Sequence, residues 1–146
     1  MIIRPMVMED IDRVYEIECD SFSIPWSKES LSQEMDNPLA FYSVAVVDEK
    51  IVAYGGLWAV MGEGEITNIA VQKAYRKKGI GKQVLKDLIE RARQNQVFSI
   101  TLEVRSSNQA AQSLYMSYGF TPIAIRKKYY QKPEEDAVIM QLQIQQ

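Results

Sequence analysis

Apolar and polar positions along this chain change period several times, and each change marks an element. Residues 2–6 open with a short apolar run that reads as a strand. Glu9 and Asp10 then start a helix in which Ile11, Val14 and Tyr15 recur at helical spacing, the early carboxylates suiting the positive end of the helix dipole. Pro25-Trp26-Ser27 interrupts it. Ser27 is a good N-cap for a second, short helix bearing Leu31 and Met35, which Asn37-Pro38 ends. Strand-like runs follow over residues 40–47, 51–60 and 65–71, separated by Asp48-Glu49-Lys50 and by Gly62-Glu63-Gly64. The clearest helix covers residues 79–93: Ile80, Val84, Leu85, Leu88, Ile89 and Ala92 line one face, with charges on the other. A strand over 97–104, a helix over 108–118 stopped by Gly119, and strands over 120–129 and 137–142 around Pro133 complete the series. The order is β-α-α-β-β-β-α-β-α-β-β. Antiparallel meanders precede βαβ units, so an α/β fold is expected, with a mixed, mostly antiparallel central sheet and about four flanking helices. No repeat, linker or low-complexity tract interrupts it, and one domain over residues 1–146 is expected.

Composition removes more chemistry than it suggests. A hydrophobic content of 47% and a charged content of 25% are ordinary for a soluble globular chain. The net charge of −2 speaks against a nucleic-acid partner. There is no histidine, which excludes Ser-His and Cys-His nucleophile pairs and every metal site containing that ligand. The lone Cys19 permits no internal disulfide and reads as a structural thiol, and no metal is expected. No apolar stretch approaches the roughly 20 residues of a membrane span, and the first residues carry too short an apolar run for a signal peptide. A cytoplasmic protein without a membrane partner is the expectation.

The most informative stretch is Val71-Gln72-Lys73-Ala74-Tyr75-Arg76-Lys77-Lys78-Gly79-Ile80-Gly81-Lys82, between a strand and the strongest helix. Gly79 and Gly81 let the backbone turn tightly and approach a ligand, and the following helix aims its free N–H groups at the same loop. With Arg76, Lys77, Lys78 and Lys82 around it, this is an anion site suited to a diphosphate. It lacks the third glycine of a dinucleotide fingerprint and the Gly-Lys-Ser/Thr of a P-loop, and a solvated basic turn is the plain alternative.

Arg76-Lys77-Lys78-Gly79-Ile80-Gly81 resembles the Arg/Gln-x-x-Gly-x-Gly/Ala signature of the GNAT N-acetyltransferases. Asn68-Ile69-Ala70-Val71 precedes it at that superfamily's distance, Asn108 opens the next helix and Leu114-Tyr115-x-x-x-Gly119-Phe120 closes it. The element order matches as well. Leu102-Glu103-Val104-Arg105-x-Ser107-Asn108, Tyr129-Tyr130, Glu135-Asp136-Ala137-x-Ile139-Met140 and Pro25-Trp26-Ser27 are similar to the RimI-type ribosomal-protein alanine N-acetyltransferases. The resemblance implies a GNAT fold and acetyl-CoA as donor. The acceptor it implies is a protein N-terminus, the alanine amine of a small-subunit ribosomal protein. It further implies that Ile69, Ala70 and Val71 hold the pantetheine arm, and that the backbone of Lys77, Lys78, Gly79, Ile80, Gly81 and Lys82 holds the pyrophosphate. Asn108 would contact the coenzyme arm, Glu103 would be the general base and Tyr115 the general acid.

Transfer from a thioester to an amine needs a neutral amine, donors to the carbonyl oxygen and a proton for the leaving thiolate, and none of these requires histidine. An α-amine at a reference pKa of about 7.7–8.0 is easier to deprotonate than lysine at about 10.4. N-terminal acetylation is therefore favoured over lysine or a small-molecule amine as acceptor, and a non-catalytic acetyl-CoA-binding module is the remaining alternative. Alternation puts Phe98, Ile100, Leu102 and Val104 on one strand face and Glu103 with Arg105 on the other, so a plain Glu103–Arg105 pair competes with the catalytic reading. Trp26 either packs the first helices together or covers the acceptor slot, Tyr129 and Tyr130 are either edge-strand aromatics or rings flanking the peptide channel, and apart from the resemblance Tyr115 reads as an ordinary core tyrosine.

Overall fold

The structure, a computed structural model, describes residues 1–144. Seven strands form one sheet: β1 (Ile2–Pro5), β2 (Ala40–Val47), β3 (Lys50–Val60), β4 (Glu63–Val71), β5 (Ser99–Arg105), β6 (Thr121–Tyr130) and β7 (Glu135–Gln143). Their order is β1-β2-β3-β4-β5-β7-β6, and every neighbouring pair is antiparallel except β4 with β5. Helices α1 (Ile11–Ser21) and α2 (Lys28–Glu34) cover one face, burying Ile11, Val14, Ile17 and Leu31 with Tyr54 of β3. On the other face lie α3 (Ile80–Gln94) and α4 (Gln109–Ser117), over a core that includes Leu57, Leu85, Leu88, Ile100, Leu102 and Phe120. This is the mixed α/β architecture with four helices that the pattern predicts. All six apolar positions read on the face of α3 are buried.

Several expected boundaries move for local reasons. Asp48 and Glu49 both take positive φ, as do Met61 and Gly62, so two-residue hairpin turns suffice and β3 and β4 start at Lys50 and Glu63. Gly79 stands outside α3 as its left-handed N-cap, φ 79°. Phe98 is not on the buried face of β5: it precedes the strand and lies 47% exposed over Gly62, where an added Cβ would come within 2.5 Å of its ring. Cys19 is exposed on α1 rather than a structural core thiol.

Two irregularities in the sheet position the site. Gly56 pairs with Asn68 and Leu57 with Ile66, so Thr67 is an extra residue bulging from β4. Beyond that bulge β4 leaves its other neighbour. The parallel β4–β5 ladder consists of Glu63 with Ser99, Gly64 with Ile100 and Glu65 with Thr101. After it, β4 stays with β3 and β5 stays with β7, and the sheet forks.

Candidate active site

The fork opens at the carboxyl ends of the parallel pair β4 and β5, where ligands of α/β sheets gather. On one prong, Ile69, Ala70 and Val71 pair with Gly55, Tyr54 and Ala53, leaving their other edge toward the gap. The chain then turns through residues 73–75 into the basic loop. Arg76 Nε donates to the Val71 carbonyl at 2.9 Å, folding the loop back on the strand. Lys77 and Gly79 both take positive φ, and nothing lies within 4 Å of where a Gly79 Cβ would stand. That N-cap supplies no side-chain acceptor, and Ile80, Gly81 and Lys82 have no carbonyl one turn back for their amides. A Cβ on Gly81 would meet Val71 Cγ2 at 3.3 Å, so the helix start lies directly against the strand end. Lys78 and Lys82 rest over the rings of Tyr75 and Tyr118, at 5.5 and 5.9 Å. Among the described residues Arg76, Lys77, Lys78 and Lys82 have no carboxylate in an ion pair. Free amides and unpaired cations together make an anion cradle.

Asn108 follows the other prong. Its side chain caps α4, accepting from the Ala111 amide at 3.1 Å, and stands exposed. Tyr115, two turns later, is half-buried on the α3 side of the sheet, its ring tilted against Phe120 at 5.8 Å. Burial pushes its hydroxyl up to about 12, and that hydroxyl bonds to no other group among the described residues.

Glu103 faces the opposite side of the fork from Tyr115. Its neighbours on β5, Leu102 and Val104, point into the α3-side core. The Glu103–Arg105 pair that competes with the catalytic reading does not form among the described residues. Arg105 is taken by Glu135 at 3.2 Å and by the carbonyls of Gln131 and Pro133, each at 3.0 Å. Glu103 instead accepts from Arg126, which reaches across β7 to 2.7 Å. Two aromatic rings carry these guanidiniums, Tyr129 under Arg126 at 4.6 Å and Tyr130 under Arg105 at 4.5 Å. Hydrogen bonding to Glu103 and then burial push the Tyr129 hydroxyl up to about 12, while burial and then the Glu103 charge raise Tyr130. Burial and the Glu103 charge also raise Glu65, against a smaller opposing effect of Arg126. Glu65, Glu103, Tyr129 and Tyr130 thus form one electrostatically linked wall.

A second cluster went unread in the sequence. Glu18 of α1 is 1% exposed and accepts from the Trp26 backbone amide at 2.9 Å, the Asn68 side chain at 3.2 Å and the Tyr54 hydroxyl. Burial raises its carboxyl, and no basic side chain pairs with it among the described residues. The signal was available: Glu18 follows Ile11 and Val14 at helical spacing and so falls on the buried stripe.

The sequence profile of the Acetyltransferase (GNAT) family matches residues 11–120. The chain belongs to the GNAT acetyltransferase family. Among its GNAT relatives, the [ribosomal protein bS18]-alanine N-acetyltransferase of Haemophilus ducreyi is 37% identical over 96% of this chain and 98% of its own length. The Escherichia coli K12 protein of that name is 34% identical over 97% of both chains. The crystal structure of the Escherichia coli ribosomal-protein-S18-alanine N-acetyltransferase superposes with a TM-score of 0.92 at 32% identity, covering 99% of this chain and 94% of that one. The GNAT fold and N-acetyltransferase class expected from the sequence are therefore established, and no helix among the described residues is long and apolar enough to cross a membrane.

Proposed function

We propose that this GNAT enzyme moves the acetyl group of acetyl-CoA onto the N-terminal α-amine of a protein, the alanine of ribosomal protein bS18. The observation that carries the reading is the fork. One edge of it runs from a free strand into a cradle of free amides and unpaired cations, with a carboxylate on one face and an unpaired phenol on the other. A donor threaded through the gap presents its thioester between the two faces. The acceptor then approaches from the Glu103 side.

In this scheme amides of residues 77–82 hold the pyrophosphate, with Lys77, Lys78 and Lys82 alongside. Ile69, Ala70 and Val71 hold the pantetheine arm through their free edge, and Asn108 contacts it from the start of α4. The Asn68–Ala70 backbone polarises the thioester carbonyl as charge develops on its oxygen. Glu103, directly or through water, takes the proton of the attacking amine. The new C–N bond forms, the C–S bond breaks, and Tyr115 delivers a proton to the departing sulfur. Tyr129 and Tyr130 flank the acceptor's backbone. Glu65 and Glu103 together favour a cationic amine at the mouth of the site. That preference has to be overcome before attack; from the reference values alone, an α-amine needs about one pKa unit of help at pH 7, whereas lysine needs more than three.

Intact mass spectrometry of peptides incubated with acetyl-CoA tests this. Peptides with free N-terminal alanine should gain one acetyl group, and blocked, lysine-containing versions none. Glu103→Gln should lower kcat by about 10²–10⁴-fold. Lysine labelling of blocked peptides, or no turnover of any amine, would sink the assignment.

A further inference from the structure

Glu18 is a buried carboxylate for which the chemistry above has no use, and its partners come from both halves of the site. One oxygen accepts the backbone N–H of Trp26, in the loop between α1 and α2. The other accepts from Asn68, next to the β4 bulge, and from Tyr54 of β3. Asn68 donates at 2.8 Å to the Tyr54 hydroxyl as well, and its own carbonyl accepts from Thr67 at 2.8 Å. One carboxylate therefore joins the loop to the strand that runs along the coenzyme side of the fork.

The loop itself has little else to hold it. Phe22 and Ile24 are exposed, at 37% and 56%. Trp26 is half-buried, and its ring leans on Trp58 with centroids 6.1 Å apart. Together they line a groove of about 560 Å³ with Pro25, Ser30, Glu34 and Asn37. Trp58 pairs with Glu65, and Glu65 with Thr101 on the last rung before the fork. Trp58, at the end of the groove, therefore lies on the same sheet face as Glu65, Thr101 and Glu103, the face from which the acceptor is proposed to approach.

We infer that Glu18 is a positioning residue for the acceptor: it fixes the Trp26 segment as one wall of the acceptor slot, at a set distance from the thioester-polarising strand. The inference rests on the acetyl-transfer reading and deepens it. A carboxylate suits the task because it accepts from both sides at once, whereas a backbone N–H cannot reverse its polarity to suit another partner. Tyr54 can, since its hydroxyl rotates. Glutamine at position 18 keeps the loop once Asn68 turns its amide over: the glutamine oxygen takes the Trp26 N–H, its nitrogen donates to Tyr54 and to the Asn68 oxygen, and the Asn68 nitrogen donates to Thr67 Oγ1. Leucine fills nearly the same space and accepts from neither side.

Steady-state kinetics with an alanine-initiated hexapeptide and acetyl-CoA separate these cases. In Glu18→Leu, KM for the peptide should rise about ten- to a hundredfold, the value of one hydrogen bond to a charged group, with KM for acetyl-CoA within about twofold. Glu18→Gln should restore peptide KM to within about threefold of wild type. A wild-type peptide KM in Glu18→Leu, an equal rise in both KM values, or an equal loss in the Leu and Gln variants overturns the inference. Should Glu18→Leu not fold, the wild-type protein decides by NMR. Adding the peptide must shift the Trp26 amide and indole resonances, and unmoved resonances at saturation overturn it. Absence of wild-type turnover overturns the acetyl-transfer reading and this one with it. A normal peptide KM in Glu18→Leu beside an active wild type overturns this one alone.

Discussion

Replacing Tyr115 with phenylalanine removes one hydroxyl and little else. The ring keeps its contact with Phe120 at 5.8 Å and its place against the α3-side core. The hydroxyl has no hydrogen-bond partner to orphan among the described residues, so unfolding free energy should change by less than about 0.5 kcal/mol. Catalysis should respond very differently. Burial holds the phenol near 12, so at pH 8 only about one molecule in ten thousand has lost the proton that the departing sulfur requires. A positioned general acid contributes about 10²–10⁴ in rate, or roughly 2.7–5.5 kcal/mol of barrier at 1.36 kcal/mol per decade. Tyr115→Phe should therefore lower kcat by that factor, with KM for acetyl-CoA within about threefold and Tm within about 2 °C. Thiol release followed with a chromogenic reagent, beside a thermal melt, measures all three. A wild-type kcat in a folded variant would remove Tyr115 from the chemistry. A drop in kcat matched by a drop in Tm would make its part structural.

Gly79→Ala forces a side chain into φ 79° with no neighbour to clash with, so the whole penalty is conformational. It should cost about 1–2 kcal/mol, read as a Tm lower by several degrees, and weaken coenzyme binding by calorimetry as the loop amides turn. Gly56→Ala is harsher, because its Cβ would stand 2.3 Å from the Tyr42 ring and 2.7 Å from Thr67 Oγ1; denaturant titration should show a loss of about 1–3 kcal/mol. Glu65 gives a pH signature. Burial and the Glu103 charge raise its carboxyl, so the fold is penalised once pH climbs through and above the usual carboxylate range, and not below it. Glu65→Gln should accordingly raise Tm at pH 7 and leave it unchanged near pH 3.5; a gain confined to acid would reverse the sign of the argument.

Local periodicity reported what local periodicity governs. The stripe from Ile80 to Ala92 is buried as read, and alternation along β5 gave Glu103 its correct face. Contacts set by distant segments were not readable in this way. Arg126 rather than Arg105 holds Glu103, because Arg105 is drawn off by carbonyls of a loop more than twenty residues away. Phe98 continues the alternation of β5 in sequence but sits over Gly62, which only the pairing of β4 beside β5 brings near. The fork itself has no local signature, since a ladder of three pairs and one of seven begin with the same apolar runs. Glu18 is the instructive miss. Its spacing placed it in the core, and a carboxylate in a core announces partners that sequence alone does not name.

The forked sheet also bears on mechanics. Four strands on one side and three on the other are two plates, stitched along a seam three rungs long. A donor held as proposed, by residues 69–71 on one prong and Asn108 beyond the other, would bond to both and act as mortar. On that reading the enzyme is stiffest while loaded and loosest after discharge, and letting go of the spent carrier would loosen the same joint that must grip the next one.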